Sequence, residues 1–122
     1  MADLMVLEDR RQWREARDVQ RGFMGFAPPT DAVEYASQCH QVGEVGGDCC
    51  DFVPLSGGLL ALTVGDASGK GLPAGLMMAH VQSSLRTAAL FTPRDGAATV
   101  AAVNRHVHAT SLSIATPRYF MP

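Results

Sequence analysis

The stretch "LLALTVGDASGKGLPAG", residues 59–75, runs from an apolar segment through a glycine-rich corner into a segment opened by a proline. Glycines, a lysine and a helix start are also the ingredients of a phosphate-binding loop, whose backbone N–H groups and lysine wrap a nucleotide's phosphates. The spacing disfavours that use. A loop ending at Gly69-Lys70 needs its first glycine at position 64, which is Val64, and a hydroxyl residue at 71, which is Gly71. Asp66 would also repel an anion unless a cation sat between them. The corner reads instead as a strand handing over to a helix beside an aspartate that invites a positive ion.

Working towards the N-terminus, "CCDFVPL" at 49–55 and the turn "SGG" at 56–58 precede "LLALTVGD" at 59–66, the pattern of a two-stranded hairpin. The second strand is apolar on both faces, as expected of a strand buried in a packed sheet. Asp48 follows "VGEVGG" and opens the first strand; Asp66 closes the second. Antiparallel pairing brings both to one end of the sheet. Two carboxylates there suit a hard divalent cation, which takes oxygen ligands, with Gly47, Gly65 and Gly69 allowing the backbone close enough to lend a carbonyl. Aspartate beside glycine is equally ordinary turn chemistry. Spacing alone does not choose between the two.

Towards the C-terminus, Pro73 suits a first helical turn, and Met77, Val81, Leu85 and Ala88 form a stripe over residues 73–91, with Met77 and Met78 read as core. After "TPRDG" a further helix is expected over roughly 96–110, with Ala97, Val100, Asn104 and Val107 at helical spacing. At the other end, Leu4 to Phe26 lacks proline and places Trp13, Ala16, Val19, Phe23 and Phe26 at three- and four-residue intervals, an amphipathic helix stopped by Pro28 and Pro29. From Ala32 to Cys39 the period changes to two, which predicts a strand. The division expected is an N-terminal amphipathic linker helix at 1–27 and a globular unit at 28–122.

The chain has 122 residues, 47% hydrophobic and 18% charged, enough for one core. Its formal net charge of -2 gives no field that would draw it to nucleic acid or an anionic membrane. The acidic start "MADLMVLED" is unlike a signal peptide, no apolar run is long enough to span a membrane, and a cytoplasmic protein is expected. Cys39, Cys49 and Cys50 have neither a disulfide framework nor zinc spacing and read as reduced, buried thiols. The histidines at 40, 80, 106 and 108 form no HExxH pair.

Three segments in order, "EARDVQRGFM" at 15–24, "EVGGDCCDFVPL" at 44–55 and "LLALTVGDASGKGLPAGLMMAHVQSSLRTAAL" at 59–90, resemble the bacterial SpoIIE/RsbU-type branch of the PP2C-like (PPM) serine/threonine phosphatases. The resemblance implies an α+β fold, an antiparallel β-sandwich flanked by helices, of which this chain carries an N-terminal portion. It implies a site for two Mn2+ or Mg2+ ions at one end of the sandwich, with Asp66 bridging the metals, Ala67 giving a backbone carbonyl, and Asp48 beside them. A metal-activated water would then hydrolyse a phosphoserine or phosphothreonine of a protein substrate, in a bacterial signalling or sigma-factor partner-switching pathway. Lys70 is expected to be solvated.

The resemblance also departs in two places. Cys49 and Cys50 stand where the family has aromatics, which alters packing more than metal chemistry. The later aspartate ligands of the family have no counterpart here: after Asp66 the only acid is Asp95, and "RYFMP" reads as the start of a further strand. The alternative is thus a catalytically inactive PP2C-like binding or regulatory module. The N-terminal helix is expected to meet a sensor domain or a second copy of the chain.

Overall fold

A computed structural model of the chain describes residues 2–24, 31 and 33–114. Its elements run α1 (Ala2–Phe23), β1 (Asp48–Pro54), β2 (Leu60–Asp66), α2 (Gly71–Phe91) and α3 (Gly96–Ile114). The result is a small α+β arrangement of three helices and one two-stranded antiparallel sheet.

The hairpin forms because its turn is glycine. Gly57 and Gly58 both have positive φ, 74° and 73°, within a single 3-10 turn at Ser56–Gly58, and the Leu55 amide donates to the Leu59 carbonyl at 2.8 Å to close it. The register then pairs Cys49 with Gly65, Asp51 with Thr63 and Phe52 with Leu62. Residues opposite one another share a face, so Cys49, Asp51 and Val53 point one way and Cys50, Phe52 and Pro54 the other. The first set is buried against α2, where the terminal methyl of Met78 lies 3.3 Å from the place a Gly65 Cβ would occupy.

The corner between β2 and α2 needs glycine twice, at Gly69 (φ 100°) and Gly71 (φ 69°), and the helix begins at Gly71 rather than Pro73. Helix α3 is capped by Asp95: its carboxylate accepts the Ala98 N–H at 2.8 Å and its carbonyl the Thr99 N–H at 3.0 Å. The hydroxyls of Thr92 and Thr99, 2.6 Å apart, tie the connection between α2 and α3.

Four expectations are corrected. No strand occurs over 33–39; Ala32 lies outside the described residues. Within that segment the Tyr35 ring stacks on Phe52 at 4.8 Å. Strand β2 is not covered on both faces by the described residues: Leu62 is 61% and Val64 77% exposed. On α2 the buried set is Ala74, Gly75, Met78, Gln82 and Ala89, rotated from the expected stripe, so Met77 is exposed while Met78 is core. On α1 the covered positions are Ala16, Arg17 and Gln20, followed by Met24 just past the helix end, while Trp13, Val19 and Phe23 are exposed. The helix meets the body through polar bonds to loop backbone, which an apolar periodicity cannot register. Phe26, Pro28, Pro29 and "PRYF" at 117–120 lie outside the described residues. No described helix is long and apolar enough to cross a membrane.

Candidate metal centre

The hairpin register places Asp48 directly opposite Asp66 at the open end of the sheet. Side chains opposed in this way have Cβ atoms about 5 Å apart, and like charges there repel. Neither carboxylate makes an ion pair with a described residue, and both are exposed. The backbone continues the convergence. The Ala67 N–H donates to the Gly47 carbonyl at 2.9 Å, one step beyond the strand ends, and a Cβ on Gly47 would collide with the Ala67 carbonyl oxygen. Glycine at 47 is thus what admits that oxygen to the corner.

Two opposed carboxylates with no basic partner among the described residues, plus a neighbouring carbonyl, suit a hard divalent cation, which binds through one or two carboxylates and keeps water or substrate oxygens for its other positions. Asp48, Asp66 and Ala67 are the residues that would hold it. Among the described residues no group of three His, Cys, Asp or Glu side chains comes together for a metal. The carboxylates sit at the wall of a cavity of about 710 Å³ that also takes in Trp13, Val42, Lys70 and Leu72. Lys70 is exposed at its rim.

Further along the hairpin, in the middle of β1, lies an ion pair with α2. Asp51 is 2% exposed, and its carboxylate accepts Nε of Arg86 at 3.0 Å, Nη2 of Arg86 at 2.5 Å and its neighbour Phe52's N–H at 2.9 Å. The hydrogen bond to Asp51 holds the Arg86 guanidinium above its ordinary value, against the opposing effect of burial. The bridge fastens α2 to β1 and so fixes the helix that the glycine corner launches. Burial pushes the Cys49 thiol up, with the Asp51 charge adding to it; burial and then the charge of Asp48 do the same for Cys39.

The family profile described as Stage II sporulation protein E (SpoIIE) matches residues 56–120, more than half of the chain. This chain belongs to that family. No curated protein and no solved structure matches it. Within the SpoIIE family the matched span takes in β2, Asp66, Ala67, α2 and α3, and leaves Asp48 on the strand before it. Membership makes the chain a PP2C-like, phosphatase-related domain.

Three contributing residues of this SpoIIE-family chain carry no motif of their own. Asp51 had one visible signal, a charge at period two between the apolar Cys49 and Val53, which demands a buried partner. Gln20 and Trp13 reach the corner from α1: the Trp13 ring comes within 3.8 Å of the place a Gly71 Cβ would occupy, and nothing in their spacing points there.

Proposed function

We propose that this chain belongs to the SpoIIE/RsbU-type branch of metal-dependent serine/threonine phosphatases and that Asp48, Asp66 and Ala67 hold Mn2+ or Mg2+ at the hairpin end. The observation that carries this is the Asp48–Asp66 pair at the hairpin corner, unneutralised by any described basic residue, with Asp66 inside the span that the family profile matches. A bound divalent cation would polarise a phosphoryl group and lower the pKa of an attacking water. Asp66, on the strand end, would orient the cation; Asp48 would balance its charge from the opposite strand; the Ala67 carbonyl would add a neutral oxygen. Lys70, at the cavity rim, would attract the phosphate of a phosphoserine or phosphothreonine protein. The exposed face of Leu62 and Val64 is the one a second sheet would cover in a complete β-sandwich.

A specific observation favours the second reading, a module with little or no turnover. Three donor groups, two carboxylates and one carbonyl, are few for two ions about 3.5 to 4 Å apart, and no third metal-ligating side chain joins them among the described residues. Both readings are tested by titrating Mn2+, following free Mn2+ by electron paramagnetic resonance, and by assaying a phosphoserine peptide in parallel. Mn2+ binding weakened by Asp66→Asn and by Asp48→Asn, with little hydrolysis, is expected. Binding unaffected by either change overturns the metal role, and robust hydrolysis abolished by Asp66→Asn overturns the inactive module. On α1, exposed Leu4, Met5, Leu7, Val19 and Phe23 support pairing of that helix with a sensor domain or, as we favour, a second copy of the chain.

A further inference from the structure

We propose that Gln20 is a positioning residue for the carboxylate pair: its side-chain amide holds the Gly46 peptide and so sets where Asp48 stands opposite Asp66. The proposal rests on the cation-binding reading of those aspartates. Gln20 is 9% exposed on α1, and its amide bonds both backbone groups of one residue 26 positions away. Nε2 donates to the Gly46 carbonyl at 2.6 Å, and Oε1 accepts the Gly46 N–H at 3.1 Å. This double bond pattern fixes the amide orientation, because a flipped amide would set donor against donor and acceptor against acceptor.

Gly46 lies two residues before Asp48, and the residue between them is Gly47, whose carbonyl takes the Ala67 N–H. A Gly-Gly approach to a ligand has more backbone freedom than any other pair, so Asp48 needs fixing from outside the loop. Gln20 pins the first glycine and Ala67 the second, while Gln41 Nε2 donates to the Asp48 carbonyl at 2.8 Å. A Cβ at 46 would meet the Gln41 amide, which would have to swing away from the Asp48 carbonyl it bonds. Helix α2 comes close on the other side through Gly75, where a Cβ would strike Val45. The nearby Arg17–Glu44 bridge, 2.9 Å, is solvent-exposed and constrains the loop much less.

The test uses the full chain and three variants, Gln20→Ala, Gln20→Glu and the control Arg17→Ala, with amide exchange read residue by residue and Mn2+ affinity measured alongside. In Gln20→Ala the protection of the Gly46 and Ala67 amides is expected to fall about tenfold or more while the Phe52 amide stays protected, and Mn2+ affinity to fall about 10- to 100-fold, the usual effect of losing an outer-shell partner. Arg17→Ala should change neither. Gln20→Glu supplies a readout that bulk packing would not move: its carboxylate can accept the Gly46 N–H but cannot donate to the Gly46 carbonyl until protonated. Its Gly46 protection, corrected for intrinsic exchange, should rise towards wild type as the pH falls through about 4.3, whereas wild type shows no such recovery. Unchanged Gly46 protection in Gln20→Ala overturns the proposal, as does lost protection with unchanged Mn2+ affinity. If wild type binds no Mn2+ at all, the cation reading falls, and Gln20 is judged on the exchange of Gly46 and Ala67: loss upholds the clamp and no loss refutes it.

Discussion

Replacing Arg86 with methionine leaves the Asp51 carboxylate, 3% exposed at its side chain, with one remaining hydrogen bond, from the Phe52 amide. Two charge-assisted bonds are lost, at 3.0 and 2.5 Å. Removing one partner of a buried ion pair costs about 3–5 kcal/mol, because the other charge stays buried and uncompensated. The Arg86 side chain is 42% exposed, so water can reach part of the gap, and the low end, about 3 kcal/mol, is expected. Asp51→Ala should cost less, about 2 kcal/mol, since the freed guanidinium can turn to solvent and only the Phe52 N–H is stranded. The double replacement Asp51→Leu with Arg86→Met removes both charges and should return to within about 1 kcal/mol of wild type. Urea denaturation at pH 7 followed by circular dichroism measures all four proteins. With a slope of about 2 kcal/mol/M, Arg86→Met lowers the midpoint by about 1.5 M. A loss under about 1 kcal/mol, or a double variant as unstable as Arg86→Met, would refute the view that a stranded carboxylate sets the cost.

Cys49, 3% exposed with its thiol pushed up by burial, should resist a thiol reagent at neutral pH until urea is added; labelling as fast as in the unfolded chain would contradict its packing against α2. Its folded pKa lies above the unfolded one, so its contribution is fully present below the ordinary thiol range and is lost as the pH rises through that range towards the folded value; alkaline, not acidic, titration should lower the urea midpoint. For the proposed pairing of α1, light scattering over a concentration series should give a dimer mass that Phe23→Glu lowers; a monomer mass throughout, unchanged by the substitution, removes the basis for it.

Local chemistry was legible before any coordinates. The turn at Gly57-Gly58, the glycine-rich corner around Lys70, the two later helices and the meeting of Asp48 with Asp66 all follow from contacts within a hairpin or a single turn, where residue spacing and backbone freedom dictate geometry. Register does the rest: once the turn is placed, an antiparallel ladder leaves Asp48 only one partner. What the tertiary structure alone decided lies at longer range. Asp51 finds Arg86 35 residues on, Gln20 finds Gly46 across 26, and Gln82 donates to the Phe23 carbonyl across 59. Periodicity could not supply these, since it ranks faces by apolarity and each of these contacts is made by a polar side chain. The same limit explains residues 33–39, where alternation held no information about whether a strand lay beside them. Packing chose Met78 over Met77 and Gln20 over Val19 because the neighbours, a glycine-lined strand and a glycine loop with bare backbone groups, set what each helix face had to satisfy.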